Sequence, residues 1–559
     1  MNSSEIFEHV KMLHDSELYQ DLQQLASIFL SITTNVPDGE WLSLSQKYQA
    51  MVYYGNALYH QSQYMKAEDI YRKALHIKKA LSKAKGKGTT TPTMDVTGEV
   101  EVKYKIYQCL IQRKQFKEAM TVLEGISSKQ RNAKVNLALA KLYVIAGMDR
   151  SAITSYKEVL RECPLALEAM TGLMSLGIKG ADVAALVMNV IPHGSYGDWL
   201  STWIKGQAQL SSREYTGAYN TLSTMDRKSC LKDNVYLINS MAEAKFYNGE
   251  YTQALQGFER VHLLDSLHVK NMDLYSFLLA KEKKTQKLQR LSQHLMKVSD
   301  QLAESWISMG YYCLISRKLP RAIYFAQKAN YLDSVSIEAF LLKGSALSEM
   351  KKTSEASLHF LEALRMAPHR YEAYTGLIHC YLAAKRNREA LSWAGKAIKT
   401  LGSSARTLTL YASVLSKEPS MAVKAKPYLE KAMKLDQTYL DAVYIMGEIL
   451  AKEHEFAKGI ELLRSRLQTH NTCKLHQMLA DFLSQTHEHQ QALDHYSIAL
   501  SLDPSNTRAK EGLERVEKEG DMELDRTYDL NAEDMDNSDN DGDFDGSDVE
   551  SMWSENEAF

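Results

Sequence analysis

Proline is scarce in this chain, with 9 among 559 residues, so few positions force a helix to end. Cysteine is scarce too. The six (Cys109, Cys163, Cys230, Cys313, Cys380 and Cys473) lie far apart with no C-x-x-C, a spacing that supports neither a zinc site nor a disulfide framework. Reduced, mostly buried thiols in a cytosolic or nuclear protein are expected. No apolar run approaches the ~20 residues of a membrane helix. Glu5 and Glu8 stand where a signal peptide carries basic residues. A soluble intracellular chain, in nucleus and cytoplasm, is the expectation. No patch interleaves Arg with stacking aromatics, so neither nucleic acid nor membrane is an expected partner.

Signatures of chemistry are also missing. There is no G-x-S-x-G, kinase set or dinucleotide fingerprint. Gly86-Lys-Gly-Thr89 lacks the spacing of a phosphate loop, and His454-Glu455 lacks the second histidine of H-E-x-x-H. His487-Glu-His489 with His495 resembles a metal cluster on paper. Two of these fall in a turn and the third half-way along the next helix, so an exposed polar turn is the better reading. Trp203, Trp306 and Trp393 read as core or groove residues, while the 31 tyrosines offer apolar area with a polar tip to partners. No catalytic, cofactor or metal residue is assigned, and the partner-binding residues are unknown.

What is present is a period. From Ala303 the sequence lies in three lines of 34 residues beginning at Ala303, Ile337 and Tyr371. Small residues return in register at Ala322, Ala356 and Ala390, and again at Ala329, Ala363 and Ala397. An aromatic returns at Trp306, Phe340 and Tyr374; Gly310 and Gly344 share a column in which the third line has Ile378. Each line holds two runs with apolar residues three and four apart, the spacing of one buried helical stripe. The small columns mark close approaches, where a bulkier residue would overpack at about 1–3 kcal/mol. Asp333-Ser334 and Ala367-Pro368 supply the stops. A helix-turn-helix unit at this period is of tetratricopeptide type. The fold class is therefore all-α, a right-handed superhelical solenoid of such repeats, and no ordered segment is left over for a catalytic domain.

Along the chain, residues 1–45 read as an N-terminal helical pair, roughly Ser4–His14 and Glu17–Ser31, closed by a turn at Pro37-Asp-Gly39. Its apolar run Leu25–Ile32 is too short to span a bilayer and is read as packing against the next repeat or a partner chain. The first clear repeat covers 46–83. Residues 84–98 form a flexible Thr/Gly insertion containing Thr91-Pro92, a candidate phosphorylation site or a solvated connection. About twelve repeats follow over 99–506, degenerate near 167–198 and 269–302. Pro419 and Pro427 distort the repeat at 406–439, with Pro427 placed in an early helical turn. Residues 507–520 cap the array.

The net charge of −2 hides an asymmetry. Residues 521–559 carry fifteen Asp/Glu and one Arg, a net of −14, leaving +12 on the remainder. So few large apolar residues cannot offset the entropy of ordering, and the acidic tail is expected to be disordered. Ser538 and Ser547 suit an acid-directed kinase; a solubilising tail is the other reading. Asn56 occupies a column that chaperone-type repeats use to grip a terminal carboxylate, but the paired lysine position is Val52. That weakens a co-chaperone reading.

Four stretches are more particular than any repeat consensus: YKEVLRECPLALEAMTGLMSLGIKGADVAA over 156–185, DWLSTWIKG over 198–206, TLTLYASVL over 407–415 and YSIALSLDP over 496–504. The first crosses a degenerate repeat. On these residues the chain resembles the seventh-subunit family of the anaphase-promoting complex (the cyclosome), from about residue 46 to the acidic tail. The resemblance implies a non-catalytic scaffold subunit of a multisubunit ubiquitin-protein ligase that marks mitotic cyclins and securin. It implies homodimers through N-terminal repeats, with residues 1–45 contributing, and stacking on other tetratricopeptide subunits that support the activators. In sibling subunits a groove holds an activator's C-terminal Ile-Arg; no residue here is assigned to such a pocket. The alternative is a generic tetratricopeptide adaptor or co-chaperone that binds a peptide in its concave groove.

Overall fold

The computed structural model describes residues 3–35, 42–85, 97–188, 197–227, 231–418 and 421–518. The turn at Pro37–Gly39, Thr91-Pro92, Cys230, Pro419 and the tail with Ser538 and Ser547 lie outside them. Among the described residues there are 28 named α-helices in fourteen successive pairs, a final helix over 507–518, and no strand. The chain divides into two compact units, residues 1–268 and 269–559.

Helices start where the sequence supplies a cap. Asn132, Asn234 and Thr472 each accept the amide three residues on, and Ser43 with Gln46 and Ser404 with Thr407 form capping boxes. The first helix of a pair ends in a left-handed residue. Arg317, Lys351 and Lys385 have φ of 58°, 62° and 58°, and they stand 34 residues apart. Around Lys351 the amide of Lys351 bonds Ser348 O (2.9 Å) and that of Lys352 bonds Leu347 O (3.0 Å), the double closure of a Schellman end. Glycine holds the same place at Gly147, Gly177 and Gly249.

In the second unit each helix packs on its sequence neighbours, and first helices of successive pairs also touch: Ala303–Ile315 on Ile337–Glu349, and Ile337–Glu349 on Tyr371–Ala383. The small columns are the contact points. Ala322, Ala329, Ala356, Ala363, Ala390 and Ala397 are all fully buried. A Cβ on Gly310 would lie 2.3 Å from Leu342 Cδ2. The last helix covers the open end with Ala509 and Val516, and Gly512 admits the Tyr496 ring.

The first unit runs from Ser3–Asp15 and Tyr19–Asn35 to Tyr251–Leu264. At 167–188 the two helices, Leu167–Ser175 and Gly180–Met188, have only nine residues each. They bound an apolar groove of about 460 Å³ with Ile204 and Ala208, and Gly180 lets the chain pass where a Cβ would sit 2.5 Å from Ala208 Cβ. The far end of the insertion is anchored: Thr97 donates to Gln49 and accepts from Tyr48 (2.8 Å) and Lys78 (3.2 Å). Pro427 is the sixth residue of Ala422–Leu435, in the second turn rather than the first. Its missing N–H leaves the Val423 carbonyl without its helical donor, and Val423 is exposed, so water can serve that carbonyl.

Candidate interaction surfaces

The second position of the first helix in each pair carries charge: Asp273, Glu304, Glu338, Glu372, Arg406 and Asp441. Side chains from successive pairs meet there. Arg370, just before its helix, pairs with Glu338 and, through Nε at 3.1 Å, with Glu372. Arg406 reaches Glu372 at 3.5 Å and lies 3.9 Å from the centre of the Tyr371 ring. Tyr311 Oη donates to Glu338 Oε2 (3.2 Å). Arg370 is 4% exposed and Glu338 5%. Burial raises the Glu338 carboxyl, against the pull of Arg370. Burial, with Glu338 and Glu304 near, pushes the Asp273 carboxyl up to about 8. The same enclosure lowers the Lys281 ammonium and raises the Tyr311 phenol far above its usual range. The result is an internal charge ladder across successive pairs.

The first unit has a smaller network. Lys105 Nζ donates to Asn56 Oδ1 (2.7 Å), Tyr71 Oη donates to the same oxygen (2.8 Å), and Asn56 Nδ2 lies 2.9 Å from His14 Nε2. Burial lowers the Lys105 ammonium. Val52, at the clamp's lysine column, is buried. Asn56 therefore binds its own chain, and the lysine reaching it comes from the following pair.

Two surfaces face outward. On the first pair Phe7, Val10, Leu22, Ala26 and Phe29 are buried, while Met12, Leu18, Ile28 and Ile32 are exposed by 59%, 49%, 61% and 39%. The apolar run thus splits: Phe29 belongs to the chain's own core, and Ile28 with Ile32, one turn apart, face away. Near the C-terminus a groove of about 820 Å³ is floored by Ala451, Phe456, Met478 and Phe482 and edged by Lys474, Arg508 and Arg515.

The remaining marked residues take structural places. His487 and His489 face each other with ring centres 5.7 Å apart, and His495 joins His476 instead, Nδ1 to Nδ1 at 3.0 Å. Trp306 Nε1 donates to Asp300 O (2.7 Å) beneath Lys328, and Trp393 lies against Tyr374. Trp203 packs with Leu222 and Met225. Among the described cysteines all are free; Cys109, Cys313 and Cys380 are buried, Cys163 is exposed and Cys473 intermediate. Burial pushes the Cys109 thiol up to about 12. Among the described residues no helix is long and apolar enough to cross a membrane.

Known proteins share this arrangement along its whole length. The tetratricopeptide repeat family profile matches residues 341–405. The chain is 42% identical over 562 residues to the Homo sapiens protein "Anaphase-promoting complex subunit 7", an alignment covering 99% of each. The chain belongs to the anaphase-promoting complex subunit 7 family. The Arabidopsis thaliana member of that family is 28% identical over 92% of this chain and 94% of its own. Among solved structures, the crystal structure of the APC/C hetero-tetramer Cut9-Hcn1 superposes with a TM-score of 0.55 at 15% identity, over 91% of this chain and 96% of that one. At such identity the likeness speaks to fold alone: a tetratricopeptide solenoid. Subunit 7 relatives are matched through both degenerate repeats, since their alignment spans nearly the whole chain.

Proposed function

We propose that this chain is a non-catalytic scaffold subunit of an anaphase-promoting complex, holding other tetratricopeptide subunits and the activators of that ubiquitin ligase in place. The observation that carries the reading is identity of 42% across 99% of both chains, which leaves no segment for a separate activity. An extended array with exposed ends and a groove suits stacking and peptide or helix docking. Affinity purification of the tagged chain from mitotic extract, with mass spectrometry, tests it: other cyclosome subunits are the expected partners. Recovery of chaperones or transport factors without them would replace the scaffold reading with the adaptor one. Imaging the tagged chain tests the placement in nucleus and cytoplasm.

Homodimerisation through the N-terminal repeats belongs to the same proposal. Its support is the exposed apolar set Met12, Leu18, Ile28 and Ile32 on the outermost pair. A symmetric dimer would use that patch twice. Charging Phe29 would unfold the pair rather than report on a dimer, because that ring is 1% exposed. Ile28→Asp with Ile32→Asp is the informative variant. Sedimentation should give a monomer with unchanged helicity; a persisting dimer at low micromolar concentration refutes this part.

A further inference from the structure

The C-terminal groove has a feature the scaffold role does not use. Its floor is apolar, with Met478 and Phe482 buried and Phe456 set edge-on to Phe482 at 5.9 Å. Two arginines of the last helix, Arg508 and Arg515, are seven residues apart and so share a face two turns long. Neither makes an ion pair with a described residue. Lys474 adds a third cation, above the Tyr444 ring at 4.2 Å. Of the groove's four carboxylates two are engaged: Asp481 accepts from Tyr496 Oη (2.5 Å) and Asp503 accepts from Ser505. Glu448 and Glu511 remain against three cations. A ligand for this groove needs an apolar edge and an acidic one.

The chain carries such a segment immediately beyond the helix that forms the groove's wall. Over 521–530, DMELDRTYDL, the even positions are Met522, Leu524, Arg526, Tyr528 and Leu530, and the odd positions are Asp521, Glu523, Asp525, Thr527 and Asp529. Alternation of period two gives an extended segment one apolar edge and one acidic edge. Glu519-Gly520 stands between residue 518 and this segment, and glycine permits the reversal of direction that a return along the helix needs. Ten extended residues reach about 33 Å, whereas the twelve-residue helix is about 18 Å long. We propose that residues 521–530 of the chain itself occupy the groove floored by Phe456, Met478 and Phe482, with their acidic edge on Arg508 and Arg515. Held at the effective concentration of a two-residue connection, the segment plugs the groove, and a partner seeking that surface must displace it.

The test uses the purified full chain with a benzophenone amino acid replacing Tyr528. Irradiation followed by peptide mapping should place intramolecular adducts on Phe456 or on the helix Cys473–Gln485. Arg508→Glu with Arg515→Glu should lower their yield several-fold and lower its sensitivity to salt. Both arginines are exposed, so circular dichroism should report an unchanged fold. Adding Glu523→Lys and Asp525→Lys to that pair should restore the yield. Adducts that avoid the groove, adducts joining two chains, or a yield indifferent to the charge reversal would each overturn the proposal. Because one purified chain suffices, the outcome is independent of which complex the chain joins.

Discussion

Phe360 is held between two glycines, and their replacement gives a sharp test of the packing. The ring is 3% exposed. A Cβ on Gly344, in the first helix of the same pair, would lie 2.9 Å from it; a Cβ on Gly376, in the first helix of the next pair, would lie 2.4 Å away. Gly395, also inside a helix, has nothing nearer to its absent Cβ than Tyr411 Cε2 at 4.0 Å. Alanine in place of glycine favours a helix interior by about 1 kcal/mol. Gly395→Ala should therefore stabilise by about that much. Gly376→Ala gains the same term and incurs overpacking of about 1–3 kcal/mol. A buried aromatic ring cannot swing aside as a flexible chain end can, so the upper half of that range applies. The net is destabilisation of about 1–2 kcal/mol, and the two variants should differ by about 2–3 kcal/mol.

Repeat arrays need not unfold as one unit, so the measurement should be local as well as global. Urea unfolding followed by circular dichroism gives the global shift. Hydrogen exchange over Tyr371–Ala383 should show the loss confined to that helix and its neighbours. Phe360→Leu in the Gly376→Ala background should cost less than in the parent, a coupling of about 0.5–3 kcal/mol. If Gly376→Ala is as stable as Gly395→Ala, the close approach does not constrain the array and the reasoning from small columns fails.

Three further outcomes follow from the same coordinates. Lys351→Gly should stabilise by up to about 1 kcal/mol, because its φ of 62° costs an L-residue what glycine escapes; a loss of stability in thermal melts would contradict the Schellman reading. Arg370→Ala should destabilise by about 3–5 kcal/mol by leaving Glu338 buried and unpaired, whereas Glu338→Leu with Arg370→Met should be neutral or stabilising in urea melts. Asp273 has a raised folded pKa, so its contribution to stability is complete below the ordinary Asp value of about 3.9 and is lost as pH rises through about 8. Urea midpoints at pH 5, 7 and 9 should fall for the parent over that window and stay flatter for Asp273→Asn; parallel curves would refute the enclosure of that carboxyl.

The period was legible because tetratricopeptide packing is local and repetitive. Ala322, Ala356 and Ala390 recur for one reason, and that reason is visible in three lines of text. The ladder was not read, although Glu304, Glu338 and Glu372 also stand 34 residues apart. An acid in a first turn is favourable at an exposed helix start, so the column passes for ordinary capping. Only the path of Arg370, from outside the helix to Glu338 32 residues earlier, turns it into a buried pair. The split of Leu25–Ile32 was hidden for a related reason. An apolar run marks a helix as partly buried, but which of Ile28 and Phe29 faces inward depends on how the pair is rotated against its neighbour. The metal-like histidines misled because His495 was compared with its sequence neighbours rather than with His476 across the pair.

What the ladder contributes is register rather than stability. In a solenoid each pair contacts only its neighbours, so alignment between pairs depends on whatever cannot slide. Alanine and leucine contacts lose little when two helices shift by a fraction of a turn, since one apolar surface resembles the next. Arg370 is different. It is clamped between Glu338 of one pair and Glu372 of its own, and a shift would leave buried charges unmatched at about 3–5 kcal/mol. The ladder runs through 273–441, where the sequence is most regular and where slippage between near-identical pairs would otherwise be easiest. The first unit spans irregular pairs of unequal length, which cannot exchange partners without voids, and there the polar network around Asn56 is confined to the first three pairs. Regularity creates the need for a device that fixes register, and the buried charges lie where the regularity is greatest.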